Sequence, residues 1–362
     1  MRLGRPSLVL ALVVPTVTGC GLLEGGSTVD DAFEALPADA VTVSFVDRGA
    51  MAERLDVEGT DPREVSDADV DDYGRLFQDE ESAVAATALD PYLRDMKDAP
   101  INAFDVEWEA RVFWGAGDSA AGATVWKVGD DLDFEALAAD LEGKGYGASS
   151  AGDLTVYSID AAESDEITAT VGGTYPAPLM LNVLLDEDEE VVAAGTTPEA
   201  LEDLAAVIAD DSDSLADAGS MDDLLETAED DPELAWMTTA EASVCIGSGP
   251  GFPEELADQY DGLGVPEARA LFVAGDDADV LLALQFASAD AAEDDLEERE
   301  ALIEDGLDLR SQRPFDDLGD FSVDQDGEFV LIEEDFDGGA RQATVAESAS
   351  SGPGVCLAED AG

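Results

Sequence analysis

Acidic side chains outnumber basic ones by 87 to 16 in this chain, leaving a formal net charge of −71. That excess limits what can fold, because in dilute buffer the charges repel one another across any compact surface. The carboxylates are not gathered into a tail. They run through every segment between apolar stretches, and 45% of the residues are hydrophobic. A disordered acidic region would be poor in apolar residues. The pattern therefore describes a globular domain with an acidic skin. At molar salt the Debye length is only about 3 Å, and the repulsion is screened. We read the charge as adaptation to high salt, on which folding depends, rather than as a device for binding basic partners. Nucleic acid is not an expected partner for such a surface.

The first residues give an address. Arg2 and Arg5 precede an apolar run from Leu8 to Val14, and Val17-Thr18-Gly19-Cys20 places small residues directly before a cysteine. This is the layout of a secretory signal ending in a lipobox. The apolar stretch from Ser7 to Gly19 contains Pro15 and falls short of the roughly 20 residues a transmembrane helix requires. Residues 1–19 read as a cleaved signal peptide, Cys20 as the point of lipid attachment, and residues 20–34 as a lipidated tether. The expected location is the outer face of the cytoplasmic membrane, with the membrane itself as one partner. Two acyl chains on Cys20 would anchor stably, whereas one would hold marginally.

Two further cysteines remain, Cys245 and Cys356. An extracytoplasmic site permits disulfides, so these two are expected to pair and pin the C-terminal tail. For a loop of that length the chain-entropy model allows roughly 4–5 kcal/mol.

Chemistry is harder to find. The chain has no histidine, which removes Ser-His-Asp and Cys-His catalysis, histidine metal sites and the commonest general base. Ser248 lies between Gly247 and Gly249, but Ile246 stands where a nucleophile elbow needs its first glycine. Asp67, Asp69 and Asp71 are spaced like the opening of a calcium loop. Asp72 replaces the loop's glycine, and Gln78 stands where its closing glutamate belongs. No catalytic residue, metal site or cofactor is assigned, and the expectation is a protein that is not an enzyme.

The clearest internal signal is a near-repeat. Glu109-Ala110-Arg111-Val112-Phe113-Trp114-Gly115-Ala116-Gly117-Asp118 shares its order of residue types with Glu267-Ala268-Arg269-Ala270-Leu271-Phe272-Val273-Ala274-Gly275-Asp276. Each is followed by a second strand (Ala123–Val128, Val280–Phe286), an acidic helix (Asp133–Leu141, Asp290–Glu304) and a third strand (Leu154–Ile159, Phe329–Phe336). Gly143 and Gly306 would close the helices as left-handed caps. Asp186 to Glu190 and Asp324-Gln325-Asp326-Gly327 read as hairpin turns, and Thr197-Pro198-Glu199 as a helix start.

The expected fold is α+β, with two similar antiparallel-sheet units, helices packed on one face, and an internal duplication. The units are placed at 35–232, with an added hairpin and two helices, and at 233–340. Residues 341–362 form an irregular tail.

Arg111 and Arg269 hold equivalent places in a chain poor in cations, and Trp114 and Trp126 lie on neighbouring predicted strands. These four are the candidate ligand-binding residues. The competing reading gives the arginines nearby carboxylates to neutralise and the tryptophans core or inter-sheet packing.

The signal, the acidic composition and the length resemble lipid-anchored surface lipoproteins of halophilic archaea. Leu36-Pro37-Ala38-Asp39-Ala40 together with Asp213-Ser214-Leu215-Ala216-Asp217 also resembles uncharacterised secreted bacterial proteins. These likenesses imply location and fold and supply no catalytic residue. The leading functional expectation is a non-enzymatic, lipid-anchored domain that binds an envelope protein partner or serves as a scaffold. Alternatives are a solute-binding lipoprotein of a transporter and a carboxylate-dependent hydrolase.

Overall fold

The computed structural model describes residues 27–54, 88–114, 121–159, 170–171, 174–177, 179–195, 197–217, 219–228, 231–239, 245–247, 258–260, 262–274, 279–348 and 351–358. The strands are β1 (Ala40–Asp47), β2 (Val106–Trp114), β3 (Ala121–Val128), β4 (Gly147–Ala151), β5 (Leu154–Ser158), β6 (Thr170–Val171), β7 (Tyr175–Pro176), β8 (Asn182–Asp186), β9 (Val191–Gly195), β10 (Pro232–Thr239), β11 (Ile246–Gly247), β12 (Ala268–Ala274), β13 (Asp279–Gln285), β14 (Gly319–Asp326), β15 (Phe329–Phe336) and β16 (Leu357–Ala358). The helices are α1 (Thr28–Glu34), α2 (Arg48–Arg54), α3 (Leu93–Met96), α4 (Phe134–Gly143), α5 (Pro198–Ile208), α6 (Gly219–Leu225), α7 (Ala289–Asp305) and α8 (Gly339–Ser348).

Twelve strands form one antiparallel sheet in the order β14-β15-β13-β12-β10-β1-β2-β3-β9-β8-β5-β4. The fold is α+β, as expected, but the two expected units share this single sheet. The border at 232–233 falls at the start of β10, which pairs directly with β1, setting Val43 opposite Met237. Backbone hydrogen bonding across that seam joins the halves.

Alternation along the strands divides the side chains between two faces. The first face holds Val43 and Phe45 of β1, Trp108, Ala110, Val112 and Trp114 of β2, and Ala268, Ala270 and Phe272 of β12. Over it lie α1 through Val29 and Phe33, α5 through Leu201 and Leu204, and α6 through Met221 and Leu224. The second face carries two clusters. In the first half Trp126, Val128, Val183 and Val192 pack against Phe134, Leu137 and Leu141 of α4. In the second half Leu271, Val273, Leu282 and Ile332 pack against α7 and α8 through Ala292, Leu302, Ala340 and Ala343. Helices therefore cover both faces, not one. The reason lies in the strands: both alternating sets are apolar through the middle of the sheet, so water must be excluded from each side.

Local signals held where they rest on capping and turn chemistry. Thr197 Oγ1 accepts the Ala200 N–H at 3.2 Å, with Pro198 opening α5. The β14–β15 hairpin turns at Gly327, whose φ is +59°. The expected caps were misplaced. Gly143 ends α4 within the helix, and Gly145 takes the left-handed place with φ +95°. Gly306 is extended, with φ −88° and ψ −179°. Glycine is needed there because a Cβ would strike the Leu302 carbonyl.

One more expectation is corrected and another strand is placed. The expected Leu154–Ile159 strand is present as β5, pairing with β8, while β9 lies beside β3. The region after Asp337 contains α8 rather than irregular chain, because Ala340 and Ala343 sit at helical spacing over the second-face core.

Candidate functional site

The arginine expected at the first repeat is held by a buried acid. Glu109 of β2 and Trp126 of β3 stand opposite each other in register. Glu109 accepts Trp126 Nε1–H at 2.7 Å, Arg111 Nε–H at 2.7 Å, and the Ala88 N–H at 2.9 and 2.8 Å to its two oxygens. Its side chain is 2% exposed, against 38% for Arg111. Burial pushes the Glu109 carboxyl above its ordinary range, and Arg111 and the donated hydrogen bonds only partly offset this. Trp126 is fully buried and its one polar atom is satisfied here.

The second arginine lies deeper. Arg269 Nη2 donates to the Glu347 carbonyl at 3.0 Å and to Glu347 Oε2 at 3.2 Å. Its guanidinium stacks over Trp236, 4.7 Å from the ring centroid. Glu334 of β15 is beside them, fully enclosed, and no donor reaches either of its oxygens. Burial, then the Glu347 charge, raises its carboxyl well above the ordinary range, more than Arg269 lowers it. Two adjacent dry carboxyl groups facing one guanidinium favour retention of a proton, and burial and the Glu347 charge raise Glu334 toward holding it.

A neighbouring ion pair completes the cluster. Arg299 Nε donates to Asp295 Oδ2 at 2.7 Å, both side chains 0% exposed. Arg299 also donates to the Pro353 carbonyl and, at 3.3 Å, to that of Val355. Glu347 Oε1 accepts the Gly354 N–H at 3.1 Å. Cys356 follows and is disulfide-bonded to Cys245, as expected, and short parallel pairing of β11 with β16 follows the bridge. The arrangement clamps residues 351–356 onto the second-face core. The Asp295–Arg299 spacing of four on a helix was a readable signal. Nothing in the sequence marked Glu334 or Glu347.

The four candidate ligand-binding residues are not brought together. Arg111 and Arg269 share the second face but are three strand steps apart, about 14 Å. Trp114 faces the first-face core, whereas Trp126 faces the opposite side. Their strands are neighbours, but alternation separates the rings. Cys20, the Asp67–Asp71 run and Ser248 lie outside the described residues.

Two sequence motifs do meet. Ala38 N–H donates to Asp213 O at 3.3 Å, Leu215 N–H donates to Leu36 O at 2.7 Å, and Pro37 bridges Ser214. Leu36 and Leu215 are both buried in the first-face core. This pairing ties the entrance of β1 to the chain between α5 and α6.

A groove of about 1040 Å³ opens over β12, β13, β15 and β14. Phe272, Leu281 and Leu331, from the first-face core and its margin, form its floor. Asp279, Asp320, Asp324, Glu333 and Asp335 border it, all exposed. Ser322 Oγ–H donates to Glu333 Oε2 at 2.8 Å. No lysine or arginine is among the described residues that line it. Chemically it offers an apolar strip between carboxylates, suited to an amphipathic surface with cationic edges.

No protein-family model and no curated protein matches the chain. Two solved structures of a protein titled TP0453 are similar to it. Crystal form III is 10% identical, covers 88% of this chain and 97% of that one, and has a TM-score of 0.40. Crystal form IV is 12% identical, covers 89% and 100%, and has a TM-score of 0.40.

Proposed function

We propose that the chain is a non-enzymatic, lipid-anchored domain that works on the outer face of the membrane by binding an envelope partner. One observation carries this reading: the side chains best suited to chemistry are sealed in the core, whereas the solvent-facing concavity is an apolar strip bordered by acids. Arg269 is 1% exposed. Of the close carboxyl pair a hydrolase would need, Glu347 is 0% exposed and does not line the groove, and Glu334, which does, is 4% exposed. The transporter reading needs a cleft containing Arg111 or Arg269, and neither lines the groove.

We also infer that the two halves descend from one duplicated unit. The strand order supports it, since each half runs outward as strand, strand, strand and hairpin, with β4 and β5 added at the rim of the first. Register supports it as well. Arg111 sits opposite Ser44 and Arg269 opposite Thr238, while Ser44 faces Trp236 and Thr42 faces Thr238. Those pairs are related by a two-fold through Val43 and Met237.

Cys20 connects this domain to its setting, and fractionation of Cys20→Ser tests the connection. Wild-type protein should sediment with membranes at native salt, and the variant should appear in the soluble extracellular fraction. A variant that still sediments would remove the anchor.

A further inference from the structure

The first face is unevenly covered. In the first half α5 lies across β3, β9, β8, β5 and β4, with Ala200, Leu201, Leu204 and Ala205 turned into the core. Helix α5 follows the hairpin β8–β9. In the second half the hairpin β14–β15 is followed by α8, but α8 packs on the opposite face, against β15, β12 and β13. The place over β13, β15 and β14 that corresponds to α5 holds no helix among the described residues. The first-face part of the acidic groove lies at that place, where Leu281 and Leu331 are only half-buried, and the groove runs on past the end of β15 to Phe336, Gly339 and Ala340.

The shape and charge of the groove define what would fit. A helix matching the 11 residues of α5 is about 16 Å long. Its inward face would need leucine- and alanine-sized side chains at i, i+3 and i+4 to fill the strip. Docking would take water from Asp320, Asp324, Glu333 and Asp335, and a carboxylate leaving water needs a cation or a donor in exchange. The occupant must therefore carry lysine or arginine along its flanks. The longest described helix of a second copy does not meet that need. That helix, α7, has the sequence ADAAEDDLEEREALIED, with a single arginine that is itself buried.

We propose that the groove over β13, β15 and β14 docks an amphipathic helix with basic flanks from a partner protein, taking the place that α5 fills in the first half. This rests on the binding function proposed above and names its partner's chemistry.

A labelled leucine–lysine amphipathic peptide of about 18 residues is the probe, titrated by fluorescence anisotropy against the full chain in detergent at molar potassium chloride. The wild-type protein should bind it, and should bind a leucine–glutamate counterpart at least about tenfold more weakly. Leu281→Ser with Leu331→Ser should weaken binding by about tenfold or more. Glu333→Lys with Asp335→Lys, at two exposed positions that leave the core intact, should do the same. Glu297→Gln on the outer side of α7 should change nothing. Absence of binding, or equal binding by the groove variants, overturns the proposal. If a partner nevertheless co-purifies with the anchored protein, the groove assignment falls while the binding function stands.

Discussion

Glu334 is the residue whose chemistry the fold controls most tightly. It is buried beside Glu347 and Arg269, and its carboxyl is pushed well above the ordinary range. The folded protein therefore keeps a proton that the unfolded chain releases once pH exceeds the ordinary carboxylate value. Stability from this group is complete below that value. It declines as pH rises toward the raised folded value. Glu109 adds to the decline in the same direction. Glu334→Gln replaces the proton with a permanent amide donor facing Glu347. The variant should match the wild type in acid and exceed it by about 1 kcal/mol at neutral and higher pH. Denaturant unfolding across pH at constant high salt checks this. An unchanged pH profile in the variant would show that Glu334 does not hold the proton. Arg269 illustrates the limit of reading single residues. Its scarcity and its place in a repeat were visible in the sequence, but its partners Glu334, Glu347 and Trp236 come from three other elements.

At the scale of elements, legibility followed the range of the interaction. Thr197-Pro198 fixed the start of α5 because a cap needs only its own next turn. The Asp326-Gly327 turn fixed the β14–β15 hairpin for the same reason. Cys245 and Cys356 were paired correctly because two cysteines permit one pairing. Placement failed where a distant element decides. Chain order did not show that β9 of the inserted hairpin, rather than the Leu154–Ile159 strand, would lie beside β3. Periodicity alone does not say which strand arrives beside which. Gly306 carried the right residue for the wrong reason, since contact with Leu302 rather than a positive φ requires it. Trp114 and Trp126 were correctly put on adjacent strands, yet one residue of parity sends them to opposite faces. The groove itself was invisible, because its outline depends on α8 packing on the opposite face.

Across the whole molecule, charge and function separate. Among the described residues, buried charges such as Arg299 with Asp295 and Glu109 with the half-exposed Arg111 are paired, and Glu334 is the buried carboxyl that no donor reaches. Most remaining carboxylates face solvent, with few cations to answer them. Folding should therefore require screening, and circular dichroism during salt dilution should show loss of structure as salt falls toward about 0.1 M. Retention of the full spectrum there would contradict the halophilic reading.

The proposal is that the groove over β13, β15 and β14, over which no described helix lies, is where the domain meets a partner. A photoreactive amino acid placed at position 331 in the groove, and another at exposed position 297 on α7, tests that claim in intact membranes at native salt. The account predicts a discrete protein adduct from position 331 and none from position 297. Adducts from both positions alike, or from position 297 alone, would contradict it.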